Sequence, residues 1–509
     1  MKNAIVIFFI IVLLAIFFRF YQLGANPAGF FTDEASIGLN AYSILQTGAD
    51  TYDRPFPVYF EAVGDYRDPV MIYSSVPIIA WLGLNEYSVR FVSAIYGVAA
   101  VIMIYFLGCQ IGGQKVGLWS AFLLAISPWH VLFSRVGFQL IASIFWLIFG
   151  LYFFHKSFKN YHWFALALCG FILTFFSYSS IKLYLAVLPI LFLISRPHEL
   201  LTLLKKWQIW TMTAVGIAVV IILIYPYLLD GTFFKRWQQV ERKDFNVQKV
   251  AQSYINHFSP VFLFEKGNSE FPDESVQRHS IHGVGELYWF QAPFLILGIA
   301  LISFRKSLKK NYLFYLSFLI IYPLGSIFTE VVPQATRASA GIIPFQIITA
   351  VGITEFFALI RKKSLLVTAR VMVVLVVVFS VIHFFFALKN YPLKSADYWG
   401  WQYGYRDVIS YFKSKEAQYD DLRITHRYNS GSELLNFYST IINCKKCSVM
   451  NNPIEIDQKR KQIFAVRFDD LNEARERYPK LKFHTLERIY LPNGLTEIWI
   501  GEFRPFQKL

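Results

Sequence analysis

Charged side chains are scarce in this chain: Asp, Glu, Lys and Arg make up 16% of its 509 residues, whereas soluble domains carry about a quarter. Hydrophobic residues account for 55% and aromatic residues for 18%, and the mean hydropathy is +0.41. The shortage of charge excludes an ordinary soluble globular protein. Together with repeated apolar runs close to the length of a bilayer, it indicates a polytopic α-helical membrane protein.

Cysteine is also rare, because 4 residues in a chain of this length are too few for a disulfide-stabilised scaffold. The net charge of +15 would suit a nucleic-acid-binding protein. Lys and Arg, however, stand in short clusters between apolar runs, where they set membrane topology, so nucleic acid is excluded as a partner. The segment after the first apolar run lacks a small-residue cleavage pattern, which predicts an uncleaved first span.

Apolar runs that can cross a bilayer number about eleven. They lie at residues 3–18, 88–108, 116–134, 138–155, 161–178, 183–195, 209–229, 288–304, 312–328, 338–360 and 367–388. A further run at 69–84 contains Pro77 and is polar at both ends, so we predict a re-entrant or interfacial segment there. The interiors of the runs are nearly free of ionisable groups, with His383 as the clearest exception. This shortage argues against a transporter, which carries charges near the middle of the membrane.

Basic residues cluster in alternate loops, which contain almost no acid beyond Glu199. The clusters are Lys115; Lys156 and Lys159; Arg196, Lys205 and Lys206; Arg305, Lys306, Lys309 and Lys310; and Arg361, Lys362, Lys363 and Arg370. The positive-inside rule places these loops and the N-terminus in the cytoplasm, which we take to be bacterial. Loops 19–87 and 230–287 and the C-terminal tail are then extracytoplasmic. These loops are the longest and most polar, so a functional site is expected on that face.

Residues 391–509 differ in character from residues 1–390, because charged residues become frequent and apolar runs shorten. The pattern predicts a small extracytoplasmic α/β domain. Its predicted helices are 405–415, 432–442 and 471–478, and its predicted strands are 422–425, 462–468, 483–491 and 496–503. Asn493-Gly494 lies between the last two strands and favours a hairpin with a primed turn.

Cys444 and Cys447 form a C-x-x-C pattern in this domain. Three interpretations compete: a local disulfide, half of a metal site, or a redox motif. No second cysteine pair and no βαβ context accompany the pattern, which favours the disulfide.

Acids stand directly after the first apolar run, at Asp33 and Glu34, and again at Asp65. The simple interpretation of the first pair is a helix start, with Thr32 as N-cap and acids in the first turn. A carboxylate beside a membrane surface is costly unless something requires it. An acid pair and a second acid cluster on one outside loop also suit deprotonation of an acceptor hydroxyl.

Cations occur at outer helix ends, on the face where cations are scarce: Arg67, Arg135, Lys182 and Arg337. They are either independent side chains reaching the interface or a cradle for phosphate or pyrophosphate at the membrane surface. His279 and His282 lie in the loop before the eighth run, where acids are nearby, and suit a divalent metal. No cofactor is established by the sequence, and the candidate is Zn, Mg or Mn.

Several short motifs, taken in order, resemble one class of membrane enzyme. They are Asp33-Glu34; Asp65-Tyr66-Arg67-Asp68-Pro69; Ser88-Val89-Arg90-Phe91; Ser127-Pro128-Trp129-His130 with Ser134-Arg135; and Pro333-Gln334-Ala335-Thr336-Arg337 followed by Pro344. Their order and spacing resemble the GT-C glycosyltransferases. The nearest branch is the protein mannosyltransferase-like family 39, which also holds the aminoarabinose transferases of lipid A. The resemblance covers most of residues 1–388 and does not extend to the tail beyond 391.

The resemblance implies transfer of a sugar from a polyprenyl-phosphate donor to a hydroxyl or phosphate of a lipid, glycan or protein acceptor, with inversion. It implies that Asp33 is the catalytic or metal-associated acid, which acts as general base or positions the acceptor with help from Glu34 or Asp65. It assigns the donor phosphate to Arg67, Lys182 and Arg337. Asp68 departs from the family pattern, since many relatives have Pro there, which weakens the case for Arg67. A lipid-linked donor agrees with an outside site, because nucleotide sugars are cytosolic and membrane lipids cross with their cargo.

Two alternatives remain at this stage. One is an oligosaccharide or polymer transferase with a lipid-diphosphate donor. The other is a lipid-sugar flippase or transporter, against which the charge-poor apolar runs argue.

Overall fold

The computed structural model describes residues 2–62, 65–243, 246–270 and 274–505. Its helices are α1 Lys2–Phe20, α2 Thr32–Thr47, α3 Pro69–Leu82, α4 Glu86–Ile126, α5 Pro128–Phe133, α6 Leu140–Ser157, α7 Trp163–Phe175, α8 Ile181–Ser195, α9 Pro197–Leu204, α10 Trp207–Leu229, α11 Thr232–Val240, α12 Val247–Asn256, α13 Gln291–Phe304, α14 Lys306–Ile321, α15 Ile342–Leu359, α16 Lys363–Asn390, α17 Pro392–Ser395, α18 Tyr405–Lys415, α19 Gly431–Ile442 and α20 Phe468–Arg477. Its strands are β1 Phe60–Ala62, β2 Asp65–Arg67, β3 Asp421–Ile424, β4 Cys447–Val449, β5 Gln462–Val466, β6 Leu481–Tyr490 and β7 Thr496–Pro505.

Long apolar helices match the apolar runs of the sequence. Among the described residues, 6 helices are long and apolar enough to cross a membrane, or up to 8 if two bent pairs each count as one span. The bent pairs are α8 with α9, at 113°, and α13 with α14, at 118°. Each of the predicted runs coincides with helical segments, so the polytopic helical fold class is confirmed. The predicted number of about eleven spans is higher than the number found among the described residues, because helices such as α7, with 13 residues, are too short to count as spans.

Two predicted runs, 88–108 and 116–134, share helix α4, which breaks at Gly113, where φ is 80°. The two halves touch at glycines, since a Cβ added to Gly108 would lie 2.8 Å from the Cα of Gly117. The second half also stops earlier than predicted, at Ile126. The hydroxyl of Ser127 accepts a hydrogen bond from the His130 amide and starts the separate helix α5.

The chain divides into two compact units. The first comprises Met1–Tyr21, Phe56–Ser74 and Phe91–Leu388, and the second comprises Gln22–Pro55, Ser75–Arg90 and Lys389–Leu509. The last segment of the second unit begins at Lys389, and the unit also takes in Gln22–Pro55 and Ser75–Arg90, which lie mostly in the predicted first outside loop. Helix α3, at the predicted re-entrant run, contributes residues to both units.

Small residues allow close packing in the first unit. Helices α6 and α7 approach at Gly150 and Gly170, where a Cβ on Gly170 would lie 2.8 Å from the Gly150 nitrogen. Helices α13 and α15 approach in the same way, because Gly352 lies against the Phe294 carbonyl and Gly298 against Ile348. Backbones that approach this closely gain van der Waals contact, which is the main packing force between helices in lipid.

A mixed five-stranded sheet, in the order β4-β3-β5-β7-β6, forms the centre of the second unit. Strands β4, β3 and β5 are parallel, and β7 runs antiparallel to β5 and β6. All residues of β5 are buried, as its apolar sequence and central place require. The predicted α18, β3, α19, β5, α20 and the final hairpin are all confirmed, whereas the short strand β4 was not predicted.

Two local predictions in this unit have different outcomes. Cys444 and Cys447 form a disulfide, as the sequence favoured. The primed two-residue hairpin turn is wrong, because Tyr490 pairs with Thr496 and a longer loop separates them. Gly494 has a positive φ of 86° in that loop, and Asn493 instead accepts a hydrogen bond from the Leu495 amide.

Candidate functional site

Asp33 lies in the first turn of α2, in the second unit. The helix begins one residue earlier than the sequence suggested: Phe31 is the N-cap and Thr32 is the first helical residue, so the predicted Thr32 cap is wrong. From Phe30 to Ala41 every residue is buried except Asp33, which is partly exposed. The fold therefore buries the surroundings of this carboxylate and leaves the carboxylate itself accessible.

Glu34, the next residue of the helix, is fully buried. Its side chain and that of Arg90 are both 0% exposed, and their charged groups pair at 2.9 Å (Nε to Oε1) and 3.0 Å (Nη2 to Oε2). Glu34 Oε2 also accepts the Phe31 amide at 3.1 Å, which closes the first turn of the helix. Both oxygens are thus engaged, and the geometry favours a positioning role for Glu34 over the assisting role in catalysis that the resemblance implied.

Arg90 extends this arrangement to the loop before the helix. Its guanidinium donates to the carbonyl oxygens of Pro27 at 2.8 Å, Gly29 at 2.6 Å and Leu23 at 3.4 Å. One buried side chain therefore fixes both the approach to the helix and its first turn. The sequence motif Ser88-Val89-Arg90-Phe91 contains Arg90 but does not indicate its role. The available signal is an Arg on a face that has few cations, because such a residue requires an acidic partner when it is buried.

A further group of candidate residues lies in the first unit, around Lys182 at the start of α8. Lys182 Nζ donates to Asp68 Oδ1 at 2.9 Å and to the Tyr59 hydroxyl at 3.2 Å. Asp68 is buried and also accepts from the Ser179 hydroxyl at 3.1 Å. In the sequence, Asp68 departs from the family pattern and weakens the assignment of Arg67 to the donor phosphate. In the structure, Asp68 is the counter-ion of Lys182.

Aromatic rings surround the same ammonium group. Lys182 Nζ lies 5.0 Å from the ring centre of Tyr59, 5.1 Å from that of Phe175 and 5.2 Å from that of Phe233, all within cation–π range. Burial and the Asp68 carboxylate raise the pKa of Tyr59 above its ordinary value, so its hydroxyl stays neutral. The cation is therefore held in place by one carboxylate, one phenol and three ring faces.

Lys182 and Arg337 line one cavity of about 410 Å³. The rest of its wall is formed by Tyr178, Ser179, Ser180, Leu183, Phe233, Phe234, Gly325 and Thr329. From Pro333 to Ile353 every residue is buried except Arg337, which is partly exposed. The cavity thus combines two fixed cations, hydroxyl groups and apolar walls, which together suit a phosphate group attached to a hydrophobic chain.

The other predicted cations and the acid Asp65 lie elsewhere. Among the described residues, neither Arg67 nor Arg135 lines the cavity. Arg135 is fully buried and donates to the carbonyl oxygens of Phe18 at 2.6 Å and Tyr21 at 2.7 Å, so it holds the end of α1. Arg67 and Asp65 belong to the short strand β2, and Asp65 accepts from the amide of the next residue at 2.7 Å.

The predicted metal ligands His279 and His282 do not belong to a cluster of three or more ligand-bearing side chains in the described part of the chain. His279 is buried against the rings of Phe133 and Phe138. Burial and the positive charges of Arg278 and Arg337 hold the pKa of His279 well below its ordinary value, and those charges oppose a divalent cation. His282 lies three residues further on, and no third ligand-bearing side chain completes a cluster with the pair among the described residues.

A cluster of three metal-ligand types occurs instead at His426, Asp470 and Glu473 in the second unit. Arg427 already pairs with both carboxylates, at 2.7 Å to Asp470 and 3.0 Å to Glu473. The carboxylates also accept backbone amides, from Arg467 at 2.8 Å and Ile454 at 2.8 Å. These residues therefore form an ion-pair network, and we assign no metal to either place.

Comparison with known proteins places the fold. The family model described as dolichyl-phosphate-mannose-protein mannosyltransferase matches residues 68–228. The structure of ArnT from Cupriavidus metallidurans is similar with a TM-score of 0.57 and 11% identity, over 98% of both chains. The chain has the GT-C fold. The resemblance drawn from its motifs is thereby confirmed.

Other structures with this fold extend further than this chain. The oligosaccharyltransferase of Archaeoglobus fulgidus, solved with a tethered acceptor peptide, matches with a TM-score of 0.55 and 11% identity. The match covers 99% of this chain and 74% of that one. The arabinofuranosyltransferase AftD from Mycobacteria matches with a TM-score of 0.52 and 10% identity, over 98% of this chain and 41% of that one. No curated protein sequence matches this GT-C chain.

Proposed function

We propose that this GT-C protein is an inverting glycosyltransferase that uses a polyprenyl-phosphate sugar at the extracytoplasmic face of the membrane. The observation that carries the proposal is the cavity that Lys182 and Arg337 share, with aromatic and aliphatic residues around it. Two structures with the same fold were solved with polyprenyl phosphates: ArnT with undecaprenyl phosphate, and the archaeal oligosaccharyltransferase with a dolichol-phosphate. The bacterial plasma membrane is the proposed location.

The proposed reaction is a single displacement at the anomeric carbon. An acceptor oxygen attacks this carbon and forms the new glycosidic bond, while the bond from carbon to the phosphate oxygen breaks. Where the acceptor is a hydroxyl, Asp33 takes its proton. Where the acceptor is a phosphate, Asp33 accepts a hydrogen bond from the protonated phosphate. In both cases the polyprenyl phosphate leaves with a negative charge on the oxygen that was bound to the sugar. Lys182 and Arg337 offset that charge, which grows as the bond breaks and is therefore stabilised most in the transition state.

Asp68 gives Lys182 a defined position before the donor arrives. A lysine held by a carboxylate and three rings loses less rotamer freedom when a phosphate binds than a freely moving side chain would. The same carboxylate also competes with the phosphate for the ammonium group. We therefore assign the donor phosphate to Lys182 and Arg337 together, and Asp68 and Tyr59 to the positioning of Lys182.

The first experiment identifies the product and tests Asp33. Mass spectra of glycolipids and glycoproteins are compared between cells with and without the protein, and the missing glycoside defines the sugar and the acceptor. Purified Asp33→Asn protein is then assayed with that donor and acceptor, and we expect at least a hundredfold loss of turnover, since general base catalysis contributes about 10²–10⁴. Wild-type turnover by this variant would refute the assignment.

Donor selectivity separates the proposal from its nearest alternative. The same sugar is offered on a polyprenyl monophosphate and on a polyprenyl diphosphate. We expect transfer from the monophosphate. The reason is that the proposal assigns both cations of the cavity, Lys182 and Arg337, to a single phosphate group. Preference for the diphosphate would favour an oligosaccharide or polymer transferase.

A further inference from the structure

We infer that Asn268 is a positioning residue that sets the place of Arg337 and thereby the affinity for the donor phosphate. The inference rests on the proposed function, since it assumes that Arg337 binds that phosphate. No motif of the sequence contains Asn268. It lies in the long polar loop before α13, far along the chain from Arg337, and both residues belong to the first unit.

The side chain of Asn268 binds the backbone of the segment that carries Arg337. Its Nδ2 donates to the Pro333 carbonyl at 2.7 Å, and its Oδ1 accepts from the Ala335 amide at 2.8 Å. Asn268 is 0% exposed, so water does not compete for these bonds and their loss leaves buried groups unpaired. One amide side chain thus fixes two peptide groups just before Arg337.

A second side chain holds the same segment. Trp129 Nε1 donates to the Ala335 carbonyl at 2.9 Å. With Asn268 on the amide of Ala335 and Trp129 on its carbonyl, both polar backbone groups of this residue bind side chains. The Tyr184 hydroxyl lies 3.4 Å from the Arg337 carbonyl but donates its one proton to the nearer Tyr322 carbonyl. The guanidinium of Arg337 therefore starts from a backbone that Asn268 and Trp129 fix on its N-terminal side.

Asn268 is itself held from behind. Its backbone amide donates to the Ser280 hydroxyl at 2.7 Å, and Ser280 donates in turn to the buried carboxyl group of Glu286. Gly267 lies against both of these groups with a positive φ of 55°, and a Cβ at this position would collide with them. The two hydrogen bonds from the Asn268 side chain to residues 333 and 335, called here the clamp, are therefore part of a buried hydrogen-bond network. Such a network keeps a side chain in one position.

A phosphate near Arg337 responds to this arrangement because charge-assisted hydrogen bonds depend on direction. Loss of the clamp keeps the positive charge of Arg337 but allows its guanidinium group to point in more than one direction. The expected effect is weaker donor binding with little change in acceptor binding. A purely structural residue would instead reduce the amount of folded protein and leave the affinity of the folded fraction unchanged.

The test measures the binding of undecaprenyl phosphate to the purified full-length protein in detergent. We expect Asn268→Ala to raise the Kd about tenfold, which corresponds to the loss of one buried hydrogen-bond pair. Trp129→Phe keeps an aromatic ring and removes the Nε1 donor together with part of the indole ring, so it tests the same backbone segment if Asn268→Ala folds poorly. The matched control is Asn246→Ala, because Asn246 caps α12 with its side chain and makes no contact with residues 333–337 among the described bonds.

A double variant decides whether Asn268 acts through Arg337. Arg337→Ala alone is expected to raise the Kd, and Asn268→Ala combined with Arg337→Ala is expected to bind no more weakly than Arg337→Ala alone. Additive effects of the two substitutions would overturn the inference. So would unchanged binding by both Asn268→Ala and Trp129→Phe while Arg337→Ala weakens it. Unchanged binding by Arg337→Ala would refute the phosphate role in the proposed function, and the inference with it.

Discussion

The adjacent acids Asp33 and Glu34 are expected to respond in opposite ways to the same chemical change. Replacing Glu34 with Gln removes the charge that compensates buried Arg90. It also places an NH₂ group against a donor in either orientation, because one oxygen of Glu34 faces Arg90 Nε and the other faces Arg90 Nη2 and the Phe31 amide. Breaking a buried ion pair in this way costs about 3–5 kcal/mol, a large part of the roughly 5–15 kcal/mol that keeps a protein folded.

Asp33→Asn should behave differently, because Asp33 is partly exposed and a substitution at such a site changes stability by about 0.5 kcal/mol or less. Thermal unfolding in detergent, followed by tryptophan fluorescence, is measured for both variants together with transfer activity. We expect Glu34→Gln to lower the melting temperature by several degrees. Asp33→Asn is expected to keep the wild-type melting temperature and to lose turnover.

The control for this pair is Glu270→Gln, which breaks the exposed ion pair of Glu270 with Lys266. Exposed pairs contribute little to stability, so its melting temperature should match that of the wild type. If Glu34→Gln melts with the wild type but has lost turnover, Glu34 takes part in the chemistry and the positioning role is refuted.

Two further predictions concern the first unit. Lys182→Met should weaken the binding of undecaprenyl phosphate roughly 10- to 150-fold, which is the equivalent of a charged hydrogen bond of about 1.5–3 kcal/mol. The control Lys205→Met, at an exposed lysine, should leave the Kd unchanged. Equal Kd values for the two variants would contradict the phosphate role of Lys182. Burial raises the pKa of Glu286 to about 8. The folded state therefore keeps a proton that the unfolded state releases near pH 4.5. The contribution of Glu286 to the free energy of unfolding should fall as the pH rises from about 4.5 to 8. Glu286→Gln removes that titration, so its melting temperature should gain on that of the wild type across this interval, and a constant difference between the two would show that Glu286 is ionised in the folded protein.

The sequence was sufficient for the parts of the fold that a single local signal controls. Apolar runs located the membrane helices because the cost of placing polar groups in lipid outweighs local propensity. Periodicity located α18, α19 and β5 in the second unit for a similar reason: each buries one face or one full strand. The short strand β4 gave no such signal, since it has 3 residues and all are half-buried.

The candidate site was predicted by residue type but not by partner. Lys182 and Arg337 were both assigned to the donor phosphate, and the structure places them in one cavity. Arg135 was grouped with them because it shares their charge and their side of the membrane, yet its donors are used by backbone carbonyls. Charge and topology specify which residues lie near a surface, and only the packing of distant segments decides which of them share a pocket.

Ion pairs between distant residues were outside the reach of the sequence for the same reason. Glu34 and Arg90 are 56 residues apart, and Lys182 and Asp68 are 114 apart. Nothing in the local pattern selects these partners over the other acids of the same loop.

The start of α2 also depends on residues that are synthesised long after the helix itself. The Thr32 amide donates to the side chain of Gln402 at 2.9 Å, and the Thr32 hydroxyl donates to the Ser430 carbonyl at 3.3 Å, 370 and 398 residues later in the chain. The turn that carries Asp33 therefore cannot acquire its final contacts while the chain is still short. A prematurely terminated product would therefore lack the contacts that complete the Asp33 turn.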